Sequence, residues 1–325
     1  MSAAVLRPPM SPLARRVRAY FAPVERATSA PAIFDPAAQA GFALDSPAAP
    51  WIDAGWIENF EYAPGTRIEP LRSGTSGAMS AQFRAKLEAR LAFDFVEWGK
   101  LQMAIAAGCE HMNVLAVQTS AAPKPAGGDP VAAVPLQPGS TATELRLAAA
   151  DLALFSVGGL LAVDIDYQQQ AGYVGGGVAG AFVQDPVDIG ADVDFIRRVT
   201  FNVGRVAAKS PTSLSLAQPL LGGVPPAGAL VQRVIAFVDR EGGSFFQEWS
   251  GLFVIPEESG GRVCFYYPRL QPGAPAQEKT IAVSDWLHAW PLHASLVALP
   301  YDDPMDGRQV LRYRSYYPAS AAALY

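Results

Sequence analysis

Phe83-Arg84-Ala85-Lys86-Leu87-Glu88-Ala89-Arg90-Leu91-Ala92-Phe93 is the stretch on which the fold class turns. Every odd-numbered position is apolar, and the even positions run Arg, Lys, Glu, Arg, Ala. Strict alternation predicts a half-buried β-strand, here Gln82–Phe93. At ~3.3 Å per residue it would span roughly 35 Å, long for a globular strand. One face is apolar and the other almost wholly charged, so the strand borders solvent or a water-filled channel.

The period changes directly after it. Asp94 and Glu97 have the spacing of a capping box, Trp98, Leu101 and Ile105 share a helical face, and Gly108 stands where a helix ends. A helix over Asp94–Ala107 is expected, the only one in the chain. Further strands are expected at Leu145–Val157, Leu160–Tyr167, Phe195–Val203, Ala229–Asp239, Ile281–Leu287, Leu292–Leu299 and Gln309–Tyr316. Phe245–Ile255 and Arg262–Pro268 flank Glu257-Glu258-Ser259-Gly260-Gly261 as a hairpin. Gly74–Gly77 reads as a loop tip and Asp302–Gly307 as a turn. Residues 121–139 hold five prolines and form a Pro/Gly-rich insertion. Residues 1–50 are rich in Ala and Pro with little periodicity, an extended arm that needs a surface to dock on. The expected fold is mainly β, a sandwich or barrel-forming arrangement of sheets with one flanking helix, over residues 51–325.

Composition excludes several classes. Half of the 325 residues are hydrophobic and 17% are charged, enough for a sizeable core. A net charge of −5 is not that of a general nucleic-acid binder. Two cysteines, Cys109 and Cys264, build neither a disulfide framework nor a structural zinc site. The apolar run Leu147–Val163 is interrupted by Asp151 and Gly158-Gly159, so no membrane helix is expected. The basic start, with Arg7, Arg15, Arg16 and Arg18, is compatible with a transit peptide. Pro8, Pro9, Pro12 and Pro23 favour an extended arm instead.

No motif for catalysis, cofactor or metal survives inspection. Gly175–Gly180 matches G-x-G-x-x-G, but Pro186 forbids the helix that a dinucleotide needs. His288 and His293 lack zinc-helix spacing, and Cys109 and His111 want distant ligands. There is no G-x-S-x-G elbow, and Pro304 spoils the calcium-loop pattern. The expectation is a protein without enzymatic activity or cofactor. Residues 151–194 contain seven Asp, including Asp164, Asp166, Asp185, Asp188, Asp192 and Asp194, and no Lys or Arg. Residues 1–30 carry five Arg against Glu25. Such asymmetry suits a solvated loop, an acidic surface that repels a polyanion, or head-to-tail self-association.

The order Trp51-Ile52-Asp53-Ala54-Gly55-Trp56-Ile57, a loop, the strand Gln82–Phe93, then Phe95-Val96-Glu97-Trp98-Gly99-Lys100-Leu101 resembles the tail tube (major tail) proteins of long-tailed bacteriophages and phage-like particles. The resemblance covers about a third of the chain. It implies a β-sandwich with a flanking helix, six subunits per ring, and stacked rings enclosing a β-barrel tube in a virion tail assembled in the host cytoplasm. It implies tape-measure and tail-terminator or baseplate proteins as partners, with DNA passing through the lumen without specific binding and no membrane involved. Phe83, Arg84, Ala85, Lys86, Leu87, Glu88, Ala89, Arg90 and Leu91 become the ring-forming strand. The six aspartates from Asp164 to Asp194 become candidate lumen or inter-ring residues. The alternative from another class is a carbohydrate-binding sandwich using Trp286, Trp290, Tyr313, Tyr316 and Tyr317 as stacking platforms.

Overall fold

The computed structural model describes residues 16–25, 28–73, 78–165, 173–174, 183, 191–241, 246–257, 260–273 and 291–319. The chain is mainly β and divides into two compact units, one of residues 1–24, 31–108 and 248–325, the other of 25–30 and 109–247. This replaces the expected plan of an arm followed by one domain.

In chain order the first unit begins with β1 (Val17–Pro23), β2 (Ile52–Pro64), β3 (Arg67–Ser73), β4 (Ala78–Lys86), β5 (Ala89–Phe95) and helix α1 (Lys100–Ala107). The second unit holds β6 (Glu110–Leu115), β7 (Val134–Pro135), β8 (Glu144–Arg146), α2 (Ala149–Leu152), β9 (Leu160–Val163), β10 (Tyr173–Val174), α3 (Val193–Val199), β11 (Val203–Lys209), β12 (Ser213–Leu216), β13 (Leu230–Arg240) and β14 (Phe246–Gln247). The first unit then resumes with β15 (Trp249–Pro256), β16 (Arg262–Pro272), β17 (Leu292–Ala298), β18 (Tyr301–Asp302), β19 (Gln309–Val310) and β20 (Tyr313–Tyr317).

The first unit is a closed barrel. Its strands run β15-β1-β2-β5-β17-β16, and antiparallel pairing of β16 with β15 completes the circle. One edge of β16 is shared, with Arg262–Tyr266 on β20 and Leu270–Pro272 on β17. Closure leaves no exposed edge around the circle. Alternation fills the interior: Phe21, Phe93, Phe253, Tyr267 and Trp249 are fully buried. Phe253 has ring centroids 5.8 Å from Phe21, 5.5 Å from Phe93 and 5.7 Å from Tyr267. A barrel packed with aromatic rings is a core, not a pore. Asn59, at φ +53°, lies where the β2–β5 register shifts, a bulge of the kind that bends a strand around a barrel.

The expected N-terminal arm is a correction. Within it, Val17–Pro23 is a barrel strand between β2 and β15. Residues 31–50 lie as a strap over the outer face, where Phe34 and Phe42 bury against Tyr20, Trp51 and Tyr266. Tyr20 Oη donates to the Leu44 carbonyl (2.9 Å), Tyr266 Oη to Ala32 (2.8 Å) and Tyr317 Oη to Pro36 (2.8 Å). Pro and Ala hid these contacts from periodicity because only every few residues anchors.

The expected helix begins later than the capping box placed it. Asp94 and Phe95 belong to β5, because Phe95 is needed inside the barrel. α1 starts at Lys100 after Gly99, buries Leu101, Ala104 and Ile105, and ends at Gly108 with φ +62°, as expected. It packs on β17. Two further short helices, α2 and α3, were not expected.

In the second unit a sheet runs β6-β13-β9-β11-β12-β8, with β7 also on β13. Its main core gathers Leu145, Leu152, Phe155, Leu161, Val163, Val206, Leu214 and Val231. The span expected as a strand, Phe195–Val203, is helix α3 as far as Val199. Asp192 caps it by accepting from the Phe195 amide (3.0 Å), and Phe195, Ile196 and Val199 bury at helical spacing. Leu145–Val157 is a short strand followed by α2. The hairpin expected around Glu257–Gly261 is present as β15–β16. Ile281–Leu287 lies outside the described residues.

Because β1 closes the barrel, removing residues 1–23 is expected to unfold the first unit rather than free an arm. Phe21→Ala is expected to cost about 3–5 kcal/mol in a denaturant titration followed by tryptophan fluorescence. A shift below about 1 kcal/mol would place Phe21 outside the core.

Candidate assembly site

The stretch Phe83–Phe93 is two strands rather than one. β4 ends at Lys86, Leu87 and Glu88 are irregular, and β5 begins at Ala89. Beyond the break the expected faces hold: Ala89, Leu91, Phe93 and Phe95 are buried, and Arg90 is exposed. Before it they do not. β4 pairs with β3 in a two-stranded ribbon, and neither strand pairs with anything else among the described residues. Phe83, expected in a core, is 51% exposed.

The ribbon continues the barrel ladder. The β2–β5 pairing runs to Pro64 opposite Ala89, the Gly65 amide donates to the Glu88 carbonyl (2.8 Å), and Arg67 opposite Lys86 opens the ribbon. Register shifts follow Arg67 and Leu71, inserting an extra residue on β4 each time. These bulges defeat simple alternation. Phe83 pairs with Glu69 and Ala81 with Leu71 on one face, while Arg84 pairs with Ile68 and Met79 with Arg72 on the other. Ile68, Leu71, Met79 and Phe83 are all more than half exposed. The ribbon therefore has apolar groups on both faces and two open strand edges, the features that template association with another chain. Each such side chain, once covered, contributes on the order of 1 kcal/mol.

The charges of the expected ring strand sit at the ribbon's base. Glu88 pairs with Lys86 and with Arg90 Nε (3.4 Å), and the ammonium of Lys86 holds its carboxyl below the usual range. Arg84 is exposed.

The acidic segment is put to a different use from the expected one. Arg197, nearly fully buried on α3, bonds Asp164 (2.6 Å), Asp194 (2.8 Å) and Gln232 Oε1 (3.0 Å). Asn113 Nδ2 donates to the carbonyls of Arg197 (2.7 Å) and Thr200 (3.1 Å), covering the helix end. Asp192 caps α3. Asp164, Asp192 and Asp194 thus hold the second unit together. Asp164 and Asp192 are too buried to present charge to a lumen or to a neighbouring ring. Asp166, Asp185 and Asp188 lie outside the described residues, as do Gly175–Gly180, Ile281–Leu287, His288, Trp286 and Trp290. Of the expected sugar platform, Tyr313 stacks on Tyr266 (5.8 Å) and donates to Asp303 (2.6 Å). Tyr317 lies under the Arg262 guanidinium at 4.7 Å, and Tyr316 remains half exposed.

Among the described residues no cluster of three or more His, Cys, Asp or Glu has metal-site geometry, and no helix is long and apolar enough to cross a membrane. His111 Nδ1 bonds Asp239 (2.6 Å) and His293 Nδ1 bonds Asp94 (2.7 Å). Burial pushes the thiols up, Cys109 to about 12 and Cys264 to about 11, away from the thiolate form.

What the sequence missed is that the ribbon is a separate element. The cue was available: Pro70 on the partner strand and Gly65 at its base mark a ribbon outside the barrel. Compared with known proteins, the chain matches no family model and no curated protein.

Burial raises Asp164 to about 6 despite Arg197. A carboxyl that binds its proton more tightly when folded contributes stability that is complete below about pH 4 and lost as pH rises through about 6. Asp164→Asn is expected to flatten the pH 4–7 stability profile. Its difference from wild type is accordingly expected to be larger at pH 4 than at pH 7, where the wild-type contribution is already lost. Urea titrations at several pH values check both, and an unchanged slope would contradict the assignment.

Proposed function

We propose that this chain is a self-assembling structural subunit of a phage-like tail tube, in which copies join into rings and rings stack into a conduit for DNA. One observation carries the reading: a ribbon that extends the barrel ladder, offers apolar side chains on both faces, and has both edges unpaired among the described residues. A long two-stranded ribbon of this kind is marginal alone and gains its stability from a partner. The likeness of the Trp51–Leu115 pattern to tail tube proteins supports the same reading. So does the all-β barrel, since closed barrels stack without exposing further edges.

The conduit in this proposal lies between subunits, because aromatic rings fill each barrel. A net charge of −5 per copy opposes retention of DNA, whose phosphates bind where cations replace counterions. No residue is assigned a catalytic part, and the implied partners are those that start, measure and end such a tube. The sugar-binding alternative has no comparable support, since Tyr313 and Tyr317 are engaged within the chain.

Leu71→Lys/Phe83→Lys is expected to leave a folded monomer with wild-type circular dichroism and to abolish higher assemblies in sedimentation velocity and negative-stain microscopy. Wild-type protein is expected to form rings or tubes as concentration rises. A wild-type chain that stays monomeric at high concentration would overturn the proposal.

A further inference from the structure

We infer that the ribbon of one copy seats on a patch at the opposite end of the same strand pair in the next copy, formed by Trp56, Val96 and Trp98 and edged by Glu58 and Glu97. The inference rests on the assembly reading above and names the surface that receives the ribbon.

The ladder itself places the patch. Ile57 and Phe95 face each other and are both buried in the barrel, so their neighbours Trp56 and Val96 turn outward. The Val96 amide donates to the Trp56 carbonyl at 3.3 Å, which holds the two side by side. Val96 is 43% exposed and Trp98 54%. Trp98 follows two residues after Val96, and Trp is enriched at interface centres. The Arg18 guanidinium stacks 5.3 Å from the Trp56 ring centroid, which fixes that ring in place.

Charge selects the occupant. Glu58 and Glu97 are exposed at the rim. Asp94, opposite Glu58, is held by Asn59 (2.7 Å) and His293 (2.7 Å). Arg18, which stacks on Trp56, is committed to Asp45 and Asp53. The patch is therefore acidic around an apolar centre. The ribbon is the complement: Arg67 is paired with Glu69 and Lys86 with Glu88, which leaves Arg72 and Arg84 in excess of acids, with Ile68, Leu71, Met79 and Phe83 exposed among them. Such matching favours this pairing over like-charged alternatives.

Geometry excludes the chain's own ribbon. From Trp56 to Pro64 the ladder runs eight residues, roughly 25 Å at ~3.3 Å each, and the ribbon continues onward from that far end. Donor and acceptor are therefore different surfaces at opposite ends of one strand pair. A contact between them joins copies head to tail, the class of interface that closes into rings or propagates as a filament.

Three sets of variants test this: Arg72→Glu/Arg84→Glu in the ribbon, Glu58→Lys/Glu97→Lys in the patch, and all four together. Each pair alone is expected to raise the protein concentration needed for assembly roughly tenfold or more, and the quadruple variant to recover most of the loss. Trp98→Ala is expected to do the same as either pair, through lost packing, with circular dichroism unchanged. If the patch variants and Trp98→Ala assemble at the wild-type concentration while the ribbon variants do not, the acceptor lies elsewhere and the assembly reading stands. If wild-type protein never assembles, both readings fall.

Discussion

The β2–β5 ladder is the constraint on which the first unit depends. Its middle closes the barrel with Ile57, Leu91, Phe93 and Phe95 turned inward. Its far end leads, past the irregular Leu87-Glu88 and through the Gly65–Glu88 hydrogen bond, into a ribbon that no other strand pairs with among the described residues. That hydrogen bond ties the ribbon's base to the barrel. The barrel side pays nothing for the apolar groups the ribbon exposes, since none of them contributes to the core. An element anchored so firmly and packed so poorly has the open edges and exposed apolar groups that favour association.

Charge tells a different story from its appearance in sequence. An acidic run without a single Lys or Arg invites a reading as an acidic surface. Yet Asp164 and Asp194 converge on Arg197, which stands just beyond the run, and Asp192 serves a helix N-terminus. Linear windows cannot see a cation that the fold returns to the same place. Further bonds surround the buried pair, from Arg197 to Gln232 Oε1 and from Asn113 to the helix carbonyls. Such satisfaction is the condition under which buried charge is tolerated.

The legible parts of the fold are those where one period acts over one face. β5, β13, β17 and the β15–β16 hairpin were all visible because alternation and turn residues agree. The junction at Leu87-Glu88 was not, because a polar–apolar alternation passes unbroken across it while the backbone does not. The β4 bulges then move Phe83 to a solvent face that alternation had assigned to the core. α3 was misread because Phe195, Arg197 and Val199 also alternate, and the Asp192 cap outweighs that pattern. β1 was hidden among prolines and arginines although Ala19, Tyr20, Phe21 and Ala22 are all fully buried, a continuous apolar run of the kind a doubly covered strand shows. The stretch expected as one assembly strand is divided between two elements: Phe83–Lys86 belong to the ribbon and Ala89–Leu91 to the barrel.

The central claim is that β3 and β4 are completed by another copy. Amide hydrogen exchange of the full chain, measured across a range of protein concentrations, tests it most directly. The account predicts that protection of amides in 67–73 and 78–86 rises with concentration, while β1, β5 and β15 stay protected throughout. Ribbon amides that exchange equally fast at every concentration, in samples where higher assemblies are present, would contradict it.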